Sequence, residues 1–395
     1  MSKQPQIIDG IHYVGIKDWN VRDFHGYKTI KGSSYNSYLI LDEKNVLIDT
    51  VKAPFAGEFI KNIEAVIDPS KIDYVISNHT EPDHSGSMET IMKAAPNATV
   101  VATAKGKEGL SKYYDTSAWK WQVVKSGDSI QIGRRKLDFI ATPMLHWPDS
   151  MFTYLAEDKL LFSMDGFGQH FSTSYLYDDE APYDLLMYEA KKYYANILMH
   201  LGGVAKKTLD AAKELPIEII CPSHGVIWRK YIPEIVGAYY DWSVCKPEKK
   251  VLIIYDSMWG STEIMAKAIL EGATRDGIDA KLLKITANEL TDLTTEVLDA
   301  AAIAVGSPTL NNGMMPTVAS FLTYIQGLKP QNKPGAAFGS HGWGGGGAAG
   351  VDAWLDKIGI KKLRGPIVCI YRPAPAVIEE CKKLGAELAD IAAAV

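Results

Sequence analysis

One short segment, "SNHTEPDHSG" at residues 77–86, brings together four side chains that can bind a metal. These side chains are His79, Glu81, Asp83 and His84. The apolar run "IDYVIS" before them predicts a buried strand, and a helix is expected to begin near residues 85–87. The four side chains therefore lie in a turn between a strand and a helix, where a rigid scaffold often carries catalytic groups. The chain must fold into an α/β scaffold that holds this turn.

The spacing within this segment predicts where its side chains are directed. His79, Glu81 and Asp83 alternate with other residues, so an extended backbone would direct all three to one side. Pro82 restricts the backbone between two of them. A single ion has too few positions for four ligands plus others from elsewhere in the chain. The crowding therefore predicts a site for two metal ions.

Three further candidate ligands each follow a different predicted strand. His146 comes after "FIATP", Asp165 after "LLFSM", and His224 after "IEIICPS". Strands that end at one edge of a sheet would bring these side chains together. The combined set holds imidazoles and carboxylates but no thiolate, which suits iron, manganese or zinc. Its negative charge favours redox-active iron over zinc, but the residues leave both open.

The polar segment "CKPEKK" at residues 245–250 divides the chain into two parts of different character. A length of 395 residues also exceeds one ordinary hydrophobic core. We therefore predict two α/β domains, residues 1–248 and residues 249–395, with a short linker at about residues 241–250.

In the first part, helical patterns occur at "GEFIKNIEAVI" and "SMETIMKAA". Strand-like runs there are "NSYLILD", "NVLIDT", "IDYVIS", "ATVVAT", "KLDFIATP", "KLLFSMD" and "IEIICPS". In the second part, the strand "VLIIYDS" precedes an amphipathic helix that ends at Gly277, and "AAIAVGSP" and "PGAAFGS" repeat the strand-then-turn pattern. This alternation predicts parallel βαβ units in an open doubly wound sheet.

Three loops of the second part follow predicted strands and could bind a phosphate and a flat ring. The loop "DSMWGSTE" at residues 256–263 offers hydroxyl groups and a helix start to an anion. It lacks the P-loop lysine and the G-x-G-x-x-G pattern, so a terminal monophosphate fits better than a dinucleotide. Trp259 and Trp343 could flank the ring. The candidate binding residues are Ser257, Met258, Trp259, Gly260, Ser261, Thr262, Pro308, Thr309, Leu310, Asn311, Asn312, Gly313, Ser340, His341, Gly342, Trp343, Gly344 and Gly345.

The pattern H-x-[EH]-x-D-H, followed by further His, Asp and His ligands, resembles the metallo-β-lactamase superfamily. Hydrolases of that superfamily usually have His at the second ligand position, whereas this chain has Glu81. With "HWPDSM" and "DGFGQH", this position resembles the flavodiiron proteins, also called A-type flavoproteins. The resemblance covers essentially the whole chain. It implies an N-terminal metallo-β-lactamase-like αββα sandwich followed by a flavodoxin-like doubly wound parallel sheet.

The resemblance also implies roles for the candidate residues. His79, Glu81 and His146 would hold one iron, while Asp83, His84 and His224 would hold the other. Asp165 would bridge them, and a water could replace the His84 imidazole. The three loops are similar to those of flavodoxin, which implies FMN. His25 and Tyr194 resemble catalytic positions near the metals.

The implied function is a flavodiiron oxidoreductase, in which FMN passes electrons to a diiron centre that reduces dioxygen to water, nitric oxide to nitrous oxide, or both. One alternative is a zinc-dependent hydrolase with an accessory flavodoxin-like domain, and another is an electron carrier without a working metal site. The sequence has no C-x-x-C pair. We therefore expect the electron donor to be another molecule, and the resemblance suggests rubredoxin or a reduced deazaflavin. The family also implies a homodimer or a dimer of dimers.

Composition limits the partners and the location of the protein. A net charge of −5 gives no electrostatic signature of nucleic-acid or anionic membrane binding. No apolar run reaches the roughly 18 residues that a spanning helix needs. The start of the sequence lacks the apolar core of a signal peptide, and the four cysteines are sparse. We predict a cytoplasmic location.

Overall fold

A computed structural model describes residues 4–395. Residues 1–3, at the start of the predicted first domain, lie outside the described residues. The rest divides into two units. The first unit comprises the residues up to Tyr193 together with Val204–Tyr239, and the second comprises Tyr194–Gly203 and Tyr240–Val395. The predicted division into residues 1–248 and 249–395 stays a prediction.

The part of the chain before residue 249 forms short strands and helices. The strands are β1 (Gln6–Ile8), β2 (Ile11–Tyr13), β3 (Ile16–Asp18), β4 (Asp23–Phe24), β5 (Tyr27–Lys28), β6 (Ser33–Tyr35), β7 (Tyr38–Ile40), β8 (Asn45–Ile48), β9 (Ile72–Ile76), β10 (Thr99–Thr103), β11 (Lys120–Val124), β12 (Ser129–Gln131), β13 (Lys136–Ala141), β14 (Met151–Leu155), β15 (Leu160–Met164) and β16 (Ile219–Pro222). The helices are α1 (Ala56–Glu64), α2 (Pro82–Ser85), α3 (Met88–Ala94), α4 (Ala104–Tyr113), α5 (Tyr183–Tyr193), α6 (Gly202–Ala212) and α7 (Ile232–Ser243).

Two mixed sheets form the core of the first unit. One has seven strands in the order β1-β2-β7-β8-β9-β10-β11, and the other has five in the order β12-β13-β14-β15-β16. Apolar side chains of both sheets, such as Ile48 and Phe162, form one buried cluster between them. On the opposite face of the seven-stranded sheet, a second cluster includes Phe59 of α1 and Ile91 of α3. Strands β8, β9 and β10 run parallel, so their carboxyl ends lie at the same edge.

The second unit is a single parallel sheet with helices on both faces. Its strands are β17 (Lys250–Tyr255), β18 (Asp279–Lys284), β19 (Ala302–Gly306), β20 (Pro334–His341), β21 (Lys361–Lys362) and β22 (Ile367–Ile370). Its helices are α8 (Ser261–Ala273), α9 (Leu290–Asp299), α10 (Pro316–Leu328), α11 (Gly347–Ile358) and α12 (Pro375–Ala393). The strand order is β18-β17-β19-β20-β21, with β22 also paired to β20. Alternate residues of β17 enter different cores, because Ile253 packs with α8 and α12 and Ile254 packs with α10 and α11.

Residues 194–203 belong to the second unit although they precede it in the chain. They form a π-helical turn, Tyr194–Leu198, and a 3₁₀ turn, Met199–Leu201. The Asn196 side chain donates to Thr291 O over 3.1 Å and accepts from the Tyr324 hydroxyl at 2.9 Å. These two hydrogen bonds, one buried and one partly buried, fix the segment to α9 and α10, which the sequence did not predict.

The predicted fold class is confirmed, and each quoted strand-like run contains a strand of the structure. The six strands before Asn36 were not predicted, because segments of two or three residues leave no period-two pattern. Helix α8 ends at Ala273 instead of at Gly277, since Thr274 takes extended backbone angles. Residues 241–243 of the predicted linker are the last turn of α7. Among the described residues, no helix combines the length and apolarity that crossing a membrane requires.

Candidate metal centre and candidate cofactor pocket

The ligand-rich segment follows β9 and is extended only as far as Glu81. Pro82 occupies the first position of the short helix α2, where its missing N–H costs nothing. Asp83 and His84 are therefore helical, and the prediction that Asp83 continues an extended row with His79 and Glu81 is wrong. The turn separates the segment into two pairs of ligands.

The first pair joins His146 at one candidate ion position. The Nε2 atoms of His79 and His146 both lie 3.2 Å from Glu81 Oε2. They lie 3.4 Å and 3.0 Å from the same oxygen of Asp165, Oδ2. The donor atoms of these four residues all lie within 4.8 Å of one another, which is close enough to surround one ion.

The second pair joins His224 at another candidate position. Asp83 Oδ2 lies 3.3 Å from His84 Nε2 and 3.2 Å from His224 Nε2. The other oxygen of Asp165, Oδ1, lies 3.1 Å and 3.4 Å from the same two nitrogens. The two oxygens of Asp165 therefore face different positions, as a bridging carboxylate would. His84 also points into its position, which favours its role as a ligand.

The cluster has the chemistry of a site for two cations. It combines three carboxylates with four imidazoles, all of them buried except His146, which is partly buried. Both oxygens of Asp83, one oxygen of Asp165 and both ring nitrogens of His84 are buried without a hydrogen-bond partner. Buried polar atoms are rarely left in this state unless an ion or water completes them. The side chains therefore fit two bound metal ions.

The pKa shifts in the cluster indicate that its carboxylates place an excess of negative charge around the imidazoles. Burial alone would lower the pKa of each imidazole. Hydrogen bonds and charges of the carboxylates outweigh burial and raise the pKa of His146 to about 9 and that of His224 to about 10. Burial would raise the pKa of Asp165, but His84 and the other imidazoles hold it well below its usual range. A metal ion would supply the positive charge that protons supply here.

His25 lies at the tip of the β4–β5 hairpin and contacts the cluster. His25 and Gly26 both have positive φ angles, 57° and 77°, as a two-residue hairpin turn requires. The ring of His25 stacks on Phe24 with centroids 4.3 Å apart. Its Nδ1 lies 3.2 Å from Glu81 Oε1, on the carboxylate that serves the first position. The predicted place of His25 beside the ligands agrees with this contact, and its catalytic role stays a proposal.

Tyr193, the neighbour of the predicted Tyr194, is the tyrosine that faces the ligands. The Tyr193 ring packs 4.9 Å from that of His170 and 5.8 Å from that of His224. Burial, the charges of Asp165 and Asp83 and a hydrogen bond with Asp165 raise its pKa well above the usual range. The ring of Tyr194 packs instead against Trp242, 5.5 Å away. Helical spacing could not have distinguished the two, because both tyrosines are buried and both continue the face of Leu186 and Ala190.

Asp149 is a second residue that the sequence argument missed, although it lies within the quoted "HWPDSM". It is buried, and its Oδ2 lies 3.1 Å from His79 Nδ1. The same oxygen accepts the Thr80 N–H at 2.7 Å. No sequence pattern signals this role, because the contact joins residues 70 positions apart.

The second unit contains a cavity of about 640 Å³ at the carboxyl end of its sheet. Its walls come from the loops after β17, β19, β20 and β22. Nine of the predicted binding residues line it: Met258, Trp259, Ser261, Pro308, Thr309, Ser340, His341, Gly342 and Trp343. The others lie in the same loops outside the lining: Ser257, Gly260, Thr262, Leu310, Asn311, Asn312, Gly313, Gly344 and Gly345. The two tryptophans are 93% and 94% exposed, so their rings are free to cover a flat ligand.

Backbone geometry shapes the end of this cavity that lies at the start of α8. Gly260 precedes the first residue of α8 with φ +87°, a conformation that L-residues with a side chain rarely adopt. Its turn opens the N-terminus of a 13-residue helix, which favours an anion. Thr262 is buried, and its hydroxyl lies 2.8 Å from that of Ser340, so it joins two of the loops. These features fit the phosphate and ring of FMN.

Three residues of the lining were not predicted, namely Ile264, Tyr371 and Arg372. Tyr371 and Arg372 follow β22 directly, so the rule that ligands bind at carboxyl ends of parallel strands would have found them. Ile264 lies on the first turn of α8, where only the fold reveals which side chain faces the cavity.

Two known families match the two parts of this chain. Residues 34–225 match the family described as ODP family beta lactamase, and residues 253–385 match the flavodoxin family. The first match contains all seven candidate metal ligands. The second contains the three loops that line the cavity.

Relatives and solved structures match the whole chain. A nitric oxide reductase of Moorella thermoacetica is 43% identical and the match covers 98% of this chain and 99% of the relative. The crystal structure of the flavodiiron protein from Giardia intestinalis is 40% identical with a TM-score of 0.97, covering 100% of this chain and 98% of that one. The rubredoxin oxygen:oxidoreductase from Desulfovibrio gigas is 40% identical with a TM-score of 0.96, covering 99% of each chain.

Proposed function

The chain belongs to the flavodiiron protein family, and from this premise we propose that it is an oxidoreductase that passes electrons through FMN to two iron ions. The substrate is dioxygen, which is reduced to water, or nitric oxide, which is reduced to nitrous oxide, or both. The proposal assigns the metal ligands to residues 1–248 and FMN to residues 249–395.

One observation carries the proposal. The two oxygens of Asp165 face two separate groups of imidazoles and carboxylates, and Glu81 occupies the place where a hydrolase of this fold usually has His. Glu81 adds a negative ligand, which stabilises the higher charge of oxidised iron. Two adjacent ferrous ions and a reduced flavin would together supply electrons to a diatomic substrate.

Side chains around the ligands would supply protons to the site. Tyr193 keeps its proton, because its pKa is raised well above the usual range, so its hydroxyl can donate a hydrogen bond beside Asp165. His25 contacts Glu81 from an exposed hairpin tip, where it can exchange protons with solvent. Both reductions consume protons as well as electrons, so a protonated group beside the site has a function.

Two other functions remain testable alternatives. A zinc-dependent hydrolase would use the same fold and metal ligands, but it would have no use for the flavin cavity. An electron carrier would use the cavity without the metals. The buried unpaired atoms of Asp83 and His84 argue against the carrier, because such atoms are costly unless a ligand completes them.

We also propose that the electron donor is a separate molecule, such as rubredoxin or a reduced deazaflavin. The printed name of the Desulfovibrio gigas relative includes rubredoxin, which supports this choice. No nucleic acid and no membrane is expected to take part, and a cytoplasmic location stays a prediction.

A homodimer is proposed as the smallest active unit. Only residues 244–249 join the end of α7 to the start of β17, and so short a connection restricts how the flavin and the iron of one chain can approach each other. In a two-fold dimer, the flavin of one copy can approach the iron of the other. The exposed rings of Trp259 and Trp343 are the kind of apolar surface that a partner covers. Sedimentation gives the assembly, and mixing two variants, one without iron and one without flavin, tests it. Recovered activity supports the dimer, and a stable active monomer would contradict it.

The test of the function is direct. Protein expressed with ample iron should contain about two iron ions and one FMN per chain. Under anaerobic conditions, the protein with reduced FMN should be reoxidised by dioxygen or by nitric oxide, compared side by side. Two zinc ions with hydrolase activity would replace the proposal by the hydrolase, and flavin without metal would replace it by the carrier.

A further inference from the structure

The two candidate ion positions have equal sets of direct ligands. Each has two imidazole Nε2 atoms, one carboxylate of its own and one oxygen of Asp165. The ligand groups therefore bring the same charge to both positions. Any difference between two bound irons must come from the groups behind the ligands.

Behind the first position stands a carboxylate. Asp149 Oδ2 lies 3.1 Å from His79 Nδ1, the nitrogen that faces away from the ion position. The Thr80 N–H at 2.7 Å holds the same oxygen, and the Thr103 hydroxyl donates to Asp149 O at 3.0 Å. These contacts fix the carboxylate against the imidazole.

Behind the second position the corresponding partners carry no charge. His224 Nδ1 lies 2.6 Å from the backbone oxygen of Ser34. His84 Nδ1 is buried and has no hydrogen-bond partner among residues 4–395. Asp49 is buried nearby, and its charge acts on His84 and, less strongly, on His79. Its two oxygens, however, accept the backbone and side-chain N–H groups of Asn78, so it does not contact an imidazole nitrogen.

A carboxylate that accepts the Nδ1–H of a metal-bound imidazole makes that imidazole a stronger donor. Ferric iron carries one more positive charge than ferrous iron, so the stronger donor favours the ferric state. We propose that Asp149 makes the two iron positions unequal and keeps the iron held by His79, Glu81 and His146 ferric when only one electron has been added. This inference rests on the proposed diiron function.

One contact acts in the opposite direction. His25 Nδ1 lies 3.2 Å from Glu81 Oε1, and a hydrogen bond donated by His25 would draw negative charge from this ligand and weaken the first position's hold on ferric iron. His25 is 64% exposed, so water screens its effect more than that of the buried Asp149. The variant His25→Ala isolates this contact and should lower the potential of the same iron by less than Asp149→Asn raises it.

The experiment is a redox titration of the iron-loaded protein, followed by electron paramagnetic resonance of the half-reduced state. The wild-type centre should show an upper and a lower midpoint potential. Asp149→Asn should raise the lower midpoint and so reduce the difference between the two midpoints. The iron that is reduced last has then lost the carboxylate that stabilises its ferric state. A tenfold larger loss of affinity for ferric than for ferrous iron would raise that midpoint by about 59 mV.

Asp49→Asn is the matched control. Asp49 and Asp149 are both 3% exposed, so each variant removes one equally buried carboxylate. Asp49→Asn should shift the lower midpoint by less than Asp149→Asn does, because Asp49 acts on His79 only from a distance and acts more strongly on His84. Flavin content and circular dichroism report whether each variant folds. If Asp149→Asn does not fold, Asp149→Glu keeps the charge but displaces it, and its shift should again fall on the lower midpoint.

The outcomes separate this inference from the proposed function. A wild-type protein without iron-dependent midpoints contradicts the diiron function itself. If the wild-type protein shows two midpoints, but Asp149→Asn shifts the upper midpoint or neither midpoint, the inference is overturned and the proposed function stands. A purely structural role of Asp149 would change stability or iron content and leave both midpoints where they are.

Discussion

Seven ionisable side chains meet in the metal-ligand cluster, whereas Arg372 is the one permanently charged group among the residues that line the cavity of the second unit. The cluster binds through charge that is concentrated on few atoms and buried. The cavity binds through backbone turns, hydroxyl groups and exposed rings spread over four loops. Because each ligand in the cluster carries a large share of the binding, single substitutions there should have larger effects than in the cavity.

The largest expected effect is that of Asp165→Asn. The substitution removes the charged ligand that serves both ion positions, so iron content should fall below about one ion per chain and turnover should be lost. FMN content should not change. Metal analysis and flavin absorbance of the same sample test this, and full iron content would show that Asp165 does not bridge.

Glu81→His should have the next largest effect. It removes the negative ligand of one position and gives the site the usual hydrolase pattern, so iron affinity should fall by about tenfold or more and the diiron potential should rise. His25→Ala is the control for iron content, because it removes the contact with Glu81 without removing a ligand, and any change of potential in it should have the opposite sign. Unchanged iron content together with an unchanged potential would exclude Glu81 as a ligand.

Removal of the metal should reveal a pH dependence that the loaded protein lacks. In the metal-free chain, carboxylates raise the pKa of His146 to about 9 and that of His224 to about 10, although burial opposes them. A raised pKa stabilises the fold fully below the unfolded value of about 6.5, and this stabilisation is lost as pH rises through the folded value.

Urea unfolding of the metal-free protein should therefore show a loss of at least about 1 kcal/mol between about pH 6.5 and pH 10. The iron-loaded protein should lose less, since the metal replaces the protons. Parallel pH profiles for the two forms would contradict the interpretation that these imidazoles are protonated in the absence of metal.

Thr262→Val should have the smallest effect of the four on turnover, because it leaves both ion positions intact. It removes the hydroxyl that lies 2.8 Å from that of Ser340 at the start of α8. If this hydroxyl also bonds the FMN phosphate, roughly 1.5–3 kcal/mol is at stake. FMN affinity should then fall by about one to two decades, with normal iron content.

The matched control for this change is Thr294→Val. Thr294 is also buried in the second unit, but its hydroxyl donates to Leu290 O within α9, away from the cavity. Fluorescence titration with FMN measures both variants. Equal losses of affinity would mean that the Thr262 effect reflects general destabilisation, and a loss of iron would contradict the assignment of the two cofactors.

The fold class and the seven candidate metal ligands were predicted from the sequence alone. Each ligand follows a predicted strand or lies in the single segment at residues 77–86, so local patterns were enough to find it. The loops of the cavity were found for the same reason. Local patterns report hydrophobic periodicity and turn residues, which depend on neighbours in the chain.

Only the tertiary structure decided how these residues are arranged. It divided the 77–86 segment between two ion positions, because Pro82 starts a helical turn there. It placed Tyr193 at the cluster where Tyr194 was predicted, and it brought Asp149 to His79. It also joined residues 194–203 to the second unit. Such contacts depend on how separate elements pack. Local sequence patterns carry no information about contacts between residues that are far apart in the chain.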